Sequence, residues 1–206
     1  MEPVDLALCL AMDVSASVDF DEFALMAGGT AAAFRDPAVL AAATSGPRGA
    51  AAVALLLWSG VGAQDVALAW TRLDGAAAAE RIAHAVEQAP RLPPPGATAI
   101  GEGMAAGLAL LGAFPGEARR HVLDVSGDGR HSAGRPPGPM RDLGVAAGVT
   151  INGLVILNEE PDLLEHYLAE VIGGPGSFAV TCADYPDFRD AVLRKLAREL
   201  GGALVA

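Results

Sequence analysis

Short apolar runs alternate along this chain with segments whose apolar residues recur at helical spacing. Val4 to Met12 is the first run, and its length suits a buried parallel strand better than an amphipathic helix. We place it as the first and central strand. It gives way at once to Asp13-Val14-Ser15-Ala16-Ser17. Asp19, with Glu22 three residues on, predicts a D-x-x-E cap for a helix reaching about Phe34, with Phe20, Phe23, Ala27, Ala31 and Phe34 along one side. Pro37 interrupts that helix, and Ala38 to Ala43 adds a turn or two. Gly49 to Trp58 and Val66 to Leu73 are two further runs, joined by Ser59 to Asp65. That connection is too short for a crossover helix, so these two strands are antiparallel neighbours, one of them reversed at the sheet's edge.

Ala76 to Gln88 reads as a helix with Ile82, Ala85 and Val86 on its apolar face and Glu80, Arg81 and Glu87 on its solvated one. Ala89 to Ala97, stiffened by Pro90 and Pro93-Pro94-Pro95, delivers Gly96-Ala97-Thr98 to a helix from Ala99 to about Ala113. In that helix Gly101, Gly103 and Gly107 lack the spacing and the preceding strand of a dinucleotide fingerprint, and indicate close packing instead. His121 to Ser126 is a fourth strand, ending in Ser126-Gly127-Asp128-Gly129. Arg130 to Pro139 reads as an exposed loop, Met140 to Ala147 as a short helix, Thr150 to Leu157 as a fifth strand and Pro161 to Ile172 as a helix. Ser177 to Thr181 forms a last short strand before a helix from about Tyr185 to Leu200. Strands alternating with helices, without linker or repeat, predict a single α/β domain over residues 1–206: a three-layer, Rossmann-like sandwich with helices on both faces of a mostly parallel sheet and one antiparallel edge strand. Right-handed crossovers put the loops after the first and fourth strands on the same sheet edge.

Composition narrows the functions open to such a domain. Hydrophobic residues are 52% of the chain and aromatics only 5%, so the core is built mainly of small and aliphatic side chains. A net charge of −11 repels phosphate backbones and anionic membrane surfaces, and disfavours nucleic acid as a ligand. No apolar run has the length of a membrane helix, so membrane insertion is not expected. As written the chain is expected in the cytoplasm, or in the periplasm or medium if a leader has been removed. Cys9 and Cys182 have no metal-ligand spacing and are expected to be buried; a disulfide between them is left open.

Three polar clusters share the expected edge: Asp13, Ser15 and Ser17 after the first strand, Thr98 at a helix start, and Asp128 after the fourth strand. They offer two carboxylates and three hydroxyls, hard oxygen donors that suit Mg²⁺, Mn²⁺ or Ca²⁺ and disfavour zinc. Singly, each hydroxyl is equally readable as a helix cap and Asp128 as a turn residue. Asp124, inside the fourth strand, needs a solvated position or a basic partner such as Arg119 or Arg120. Arg130, His131 and Arg135, beside the cluster, are placed to meet an acidic partner, although a solvated loop accounts for them equally. The four histidines show no mutual spacing that marks a site.

Asp-x-Ser-x-Ser, the distant Gly-Ala-Thr and the later Ser-Gly-Asp-Gly together resemble the metal ion-dependent adhesion site of von Willebrand factor A-type domains. The resemblance spans nearly the whole chain. More closely, the chain is similar to a bacterial family of secreted-type single-domain proteins that shares runs like Ile151-Asn152-Gly153-Leu154 and Gly173-Gly174-Pro175-Gly176. It implies that Asp13, Ser15, Ser17, Thr98 and Asp128 hold Mg²⁺ or Mn²⁺, directly or through water, with one position open to an Asp or Glu of a protein partner. That function is binding, not catalysis. Two other readings stand beside it: a metal-dependent phosphate-ester hydrolase, which lacks a plausible base because Lys195 is the chain's only lysine, and a structural domain with a vestigial site.

Overall fold

Every apolar run of the sequence enters one sheet. The computed structural model describes residues 1–202 and contains strands β1 (Val4–Asp13), β2 (Ala51–Trp58), β3 (Gln64–Leu73), β4 (Ala118–Gly127), β5 (Val149–Ile156) and β6 (Ala179–Cys182). Their order is β3-β2-β1-β4-β5-β6, parallel throughout except for β3, which runs antiparallel to β2 at the edge. The short turn between β2 and β3 leaves no other geometry. β1 is buried along almost its whole length, as the unalternating run requires.

Helices α1 (Phe20–Arg35), α2 (Pro37–Ala43), α3 (Ala76–Glu87) and α7 (Phe188–Gly201) cover one face, where Leu6, Leu8, Leu10 and Met12 of β1 meet Phe23, Phe34, Ile82 and Phe188. On the other face Ala7, Cys9 and Ala11 pack with Ile100 and Met104 of α4 (Ile100–Gly112) and with α6 (Leu163–His166) and its continuation. α5 (Pro137–Ala146) packs on this second face beside α4. The two cysteines, buried free thiols, therefore belong to cores on opposite sides of the sheet.

The Asp19 cap forms in full: its carboxylate accepts from the Glu22 amide, and the Glu22 carboxylate accepts from the Asp19 amide, each at 2.8 Å. The glycines of α4 act as contact points. A Cβ at Gly103 would lie 2.6 Å from Trp58, one at Gly107 would lie 2.5 Å from Leu123, and one at Gly101 would overlap the Arg135 carbonyl.

Three local expectations are corrected. Arg130 to Pro139 is not one long loop, because Pro137 takes the first-turn position of α5, where a missing amide costs nothing. The helix expected over Pro161 to Ile172 is one α-helical turn that widens, over Tyr167–Val171, into an i→i+5 turn closed by the Ile172 amide donating to the Tyr167 carbonyl at 3.0 Å. Asp124 pairs with neither Arg119 nor Arg120. It points from β4 toward α7, where the ammonium of Lys195, fully buried, lies 2.5 Å from Asp124 Oδ2 and 2.6 Å from Glu199 Oε1. Asn152 of β5 donates to the same Glu199 oxygen at 2.8 Å.

Candidate metal centre

The parallel strands β1, β2 and β4 end side by side, Asp13 level with Trp58 and Met12 with Ser126, so the loops that follow them share one edge. Backbone hydrogen bonds knit those loops together. The Ala16 amide donates to the Gly96 carbonyl, the Ala99 amide to Ser59, and the Ser132 amide to Thr98, at 2.9 to 3.2 Å. Thr98 is held on both sides, since its own amide donates to Ser132 Oγ at 3.0 Å.

All five predicted residues meet here. Asp13 Oδ1 accepts from the Ser15 amide at 2.7 Å, which folds the Asp-x-Ser turn back on the carboxylate. Ser17 Oγ donates to Asp128 Oδ1 at 2.8 Å and lies 3.3 Å from Ser15 Oγ, which in turn is 3.4 Å from Thr98 Oγ1. Helix capping does not use these hydroxyls: Asp19 caps α1, and α4 has no side-chain cap. Thr98, expected at a helix start, precedes the Ala99 cap position and keeps its hydroxyl for the cluster.

Asp13 is fully buried, and its Oδ2 has no hydrogen-bond partner among the described residues. Burial, and then the charge of Asp128, push its carboxyl up to about 8, against the pull of Ser15. Two carboxylates and three hydroxyls around an orphaned, buried oxygen fit a hard divalent cation, whose charge would offset both causes of that shift. Among the described residues no group of three or more His, Cys, Asp or Glu is arranged to hold a metal, as expected where hydroxyls make up most of the donor set.

Sequence reasoning missed two residues. The Tyr185 hydroxyl, from the segment before α7, donates to Asp128 Oδ2 at 2.9 Å. The Tyr167 hydroxyl, from the wide turn, is buried without a partner among the described residues; a Cβ at Gly127 would lie 2.7 Å from it and 3.1 Å from Asp13 Oδ2. They are the chain's only tyrosines, and that scarcity was the available signal. The loop cations differ from expectation as well. Arg130 pairs with Glu160 at 2.9 Å and Asp162 at 2.6 Å, Arg135 pairs with Glu102 at 3.4 Å, and the His131 amide lies 3.4 Å from His166 Nε2. Arg91 instead donates to the Val14 and Ser15 carbonyls at 2.9 Å and stacks over Phe20, 5.3 Å from the ring centroid. Phe20 (75% exposed), Val61 (65%) and Leu92 (53%) give this edge an apolar rim.

The fold is that of a von Willebrand factor A-type domain. It superposes on von Willebrand factor type A from Catenulispora acidiphila with a TM-score of 0.63 at 18% identity, over 96% of this chain and 43% of that one. It also matches proximal thread matrix protein 1 of the mussel byssus, in a structure described as having a zinc-occupied MIDAS motif, with a TM-score of 0.64 at 19% identity over 94% and 46% of the two chains. The pilus adhesin SpaC from Lactobacillus rhamnosus GG matches with a TM-score of 0.68 at 13% identity over 96% and 30%. The chain thus spans less than half the length of these solved chains. By sequence it belongs to the family described as "Protein of unknown function (DUF1194)", which matches residues 3–204. No curated protein sequence matches it.

Proposed function

We propose that this domain is a divalent-metal-dependent protein-binding module in which Asp13, Ser15, Ser17, Thr98 and Asp128 hold Mg²⁺ or Mn²⁺, directly or through water. The observation that carries the reading is the orphaned Oδ2 of Asp13, buried beside a second carboxylate in a cluster whose hydroxyls serve no helix. A divalent ion held by these residues would supply an electrophilic centre able to accept an Asp or Glu carboxylate of a partner. The zinc-occupied MIDAS motif of the byssus protein supports a divalent ion in a domain of this fold. Hard donors favour Mg²⁺ or Mn²⁺ here, with Ca²⁺ as a further candidate.

The surroundings favour binding over hydrolysis. Beside the metal, a phosphate-ester hydrolase needs a base or a free side-chain cation at the reacting oxygen, and the Arg91 guanidinium is engaged by the Val14 and Ser15 carbonyls. Lys195 is locked under the sheet between Asp124 and Glu199. Asp124 itself lies three residues before Gly127 on β4, about 10 Å below the edge at the rise of a strand. Arg130 and Arg135 are neutralised by neighbouring carboxylates. The exposed Phe20, Val61 and Leu92 are instead what a protein interface uses.

Affinity capture from the source cell, with Mg²⁺ and with chelator, tests this. A partner retained by the wild type in Mg²⁺, released by chelator and not retained by Asp13→Ala supports the reading. Capture indifferent to chelator and to the substitution contradicts it.

A further inference from the structure

Asp128 is gripped at both oxygens. Ser17, 111 residues earlier, donates to Oδ1, and Tyr185, 57 residues later, donates to Oδ2. Tyr185 is itself fixed: it is 3% exposed, packs in the core between the sheet and α7, and its carbonyl accepts from the Phe188 amide at 3.1 Å in a turn that the Asp184 carboxylate also braces. Asp13 differs, having among the described residues a donor on Oδ1 alone. The two carboxylates are therefore not equivalent: one is held rigidly in a protein hydrogen-bond network, and the other keeps an oxygen free.

A ligand that must present one lone pair in a set direction is oriented by hydrogen bonds to its other lone pairs, and removing such outer partners typically costs ten- to a hundredfold in metal affinity. We propose that Tyr185 is a positioning residue of the metal site, fixing Asp128 from behind and joining the start of α7 to the occupancy of the site. This rests on the metal-binding reading above. No bond is made or broken; the tyrosine acts only by orienting a carboxylate.

Mg²⁺ and Mn²⁺ titrations of the wild type, Tyr185→Phe and Asp13→Ala, combined with hydrogen exchange of residues 183–190 with and without metal, test the proposal. Tyr185→Phe is expected to bind either ion about tenfold or more weakly, to melt in chelator close to the wild type, and to lose the metal-dependent exchange protection that the wild type shows over 183–190. Unchanged or tighter binding by Tyr185→Phe, with the wild type binding and Asp13→Ala not, overturns the positioning role and leaves the metal site standing. If the wild type binds no metal, both fall. Should Tyr185→Phe unfold, the wild-type exchange data decide: no metal-dependent protection over 183–190 overturns the proposal.

Discussion

Replacing Lys195 with Met removes the one cation from a buried cluster that holds two carboxylates. Lys195 and Asp124 are 0% and 2% exposed, with the ammonium within hydrogen-bond distance of both Asp124 and Glu199. One further oxygen of each acid, Asp124 Oδ1 and Glu199 Oε2, has no partner among the described residues, and beyond the lysine only the Asn152 amide, on Glu199 Oε1, compensates the two side chains. Burial, followed by the charge of Glu199, already pushes the Asp124 carboxyl up to about 7 with the lysine in place. Breaking a buried pair by removing one partner costs about 3–5 kcal/mol, and that range is expected for Lys195→Met at pH 8. The sign of the pH dependence follows from the raised carboxyl. A group whose folded pKa lies above its unfolded value contributes stability that is complete below the unfolded pKa and is lost as pH rises through the folded one. Without its counterion Asp124 rises further, so the deficit of Lys195→Met shrinks at pH 5, where the folded protein keeps the acid neutral. Urea unfolding followed by circular dichroism at pH 5 and pH 8, wild type beside variant, reads both quantities. A loss below about 1 kcal/mol, equal at the two pH values, would refute the reasoning.

Other expectations are smaller or more local. Asp19→Ala removes the reciprocal cap of α1 and should cost about 0.5–2 kcal/mol in chemical unfolding, with metal affinity unchanged because neither half of the cap touches the cluster. Gly103→Ala drives a methyl to 2.6–2.9 Å from three Trp58 ring atoms and should lose about 1–3 kcal/mol with a shift in tryptophan fluorescence, whereas an unchanged protein would mean that α4 rides further from β2. Saturating Mg²⁺ should raise the melting temperature of the wild type in proportion to the logarithm of its free concentration and leave Asp128→Ala unmoved.

The fold was legible because its local signals agree. The Val4 to Met12 run, the D-x-x-E cap and the short polar connection between the second and third apolar runs, Ser59 to Asp65, each favour one geometry, and together they fix a central strand, a first helix and a reversed edge. The grouping of Asp13, Ser15 and Ser17 with Thr98 and Asp128 at one sheet edge was legible because each follows or precedes an element whose end the sequence marks, and because the set together resembles a known motif. The partners that make the site a network were not. Tyr185 reaches Asp128, and Lys195 reaches Asp124, across 57 and 71 positions of chain through packing that no local period encodes. Near neighbours of the right charge, Arg119 and Arg120, suggested themselves instead. In the structure Arg119 lies 3.8 Å from Asp5, and Arg120 donates to the Glu199 carbonyl at 2.9 Å. The α5 boundary moved because a proline-rich stretch reads as a loop, while a proline in a helix's first turn is favoured.

The most direct test of the metal-centred account is calorimetric titration of the metal-free protein with Mg²⁺ and with Mn²⁺, wild type beside Asp13→Ala. The account predicts a saturable heat corresponding to one ion per chain in the wild type, and none in a variant that still melts cooperatively. Equal heats from the two proteins, or no saturable heat from the wild type with either ion, would contradict it.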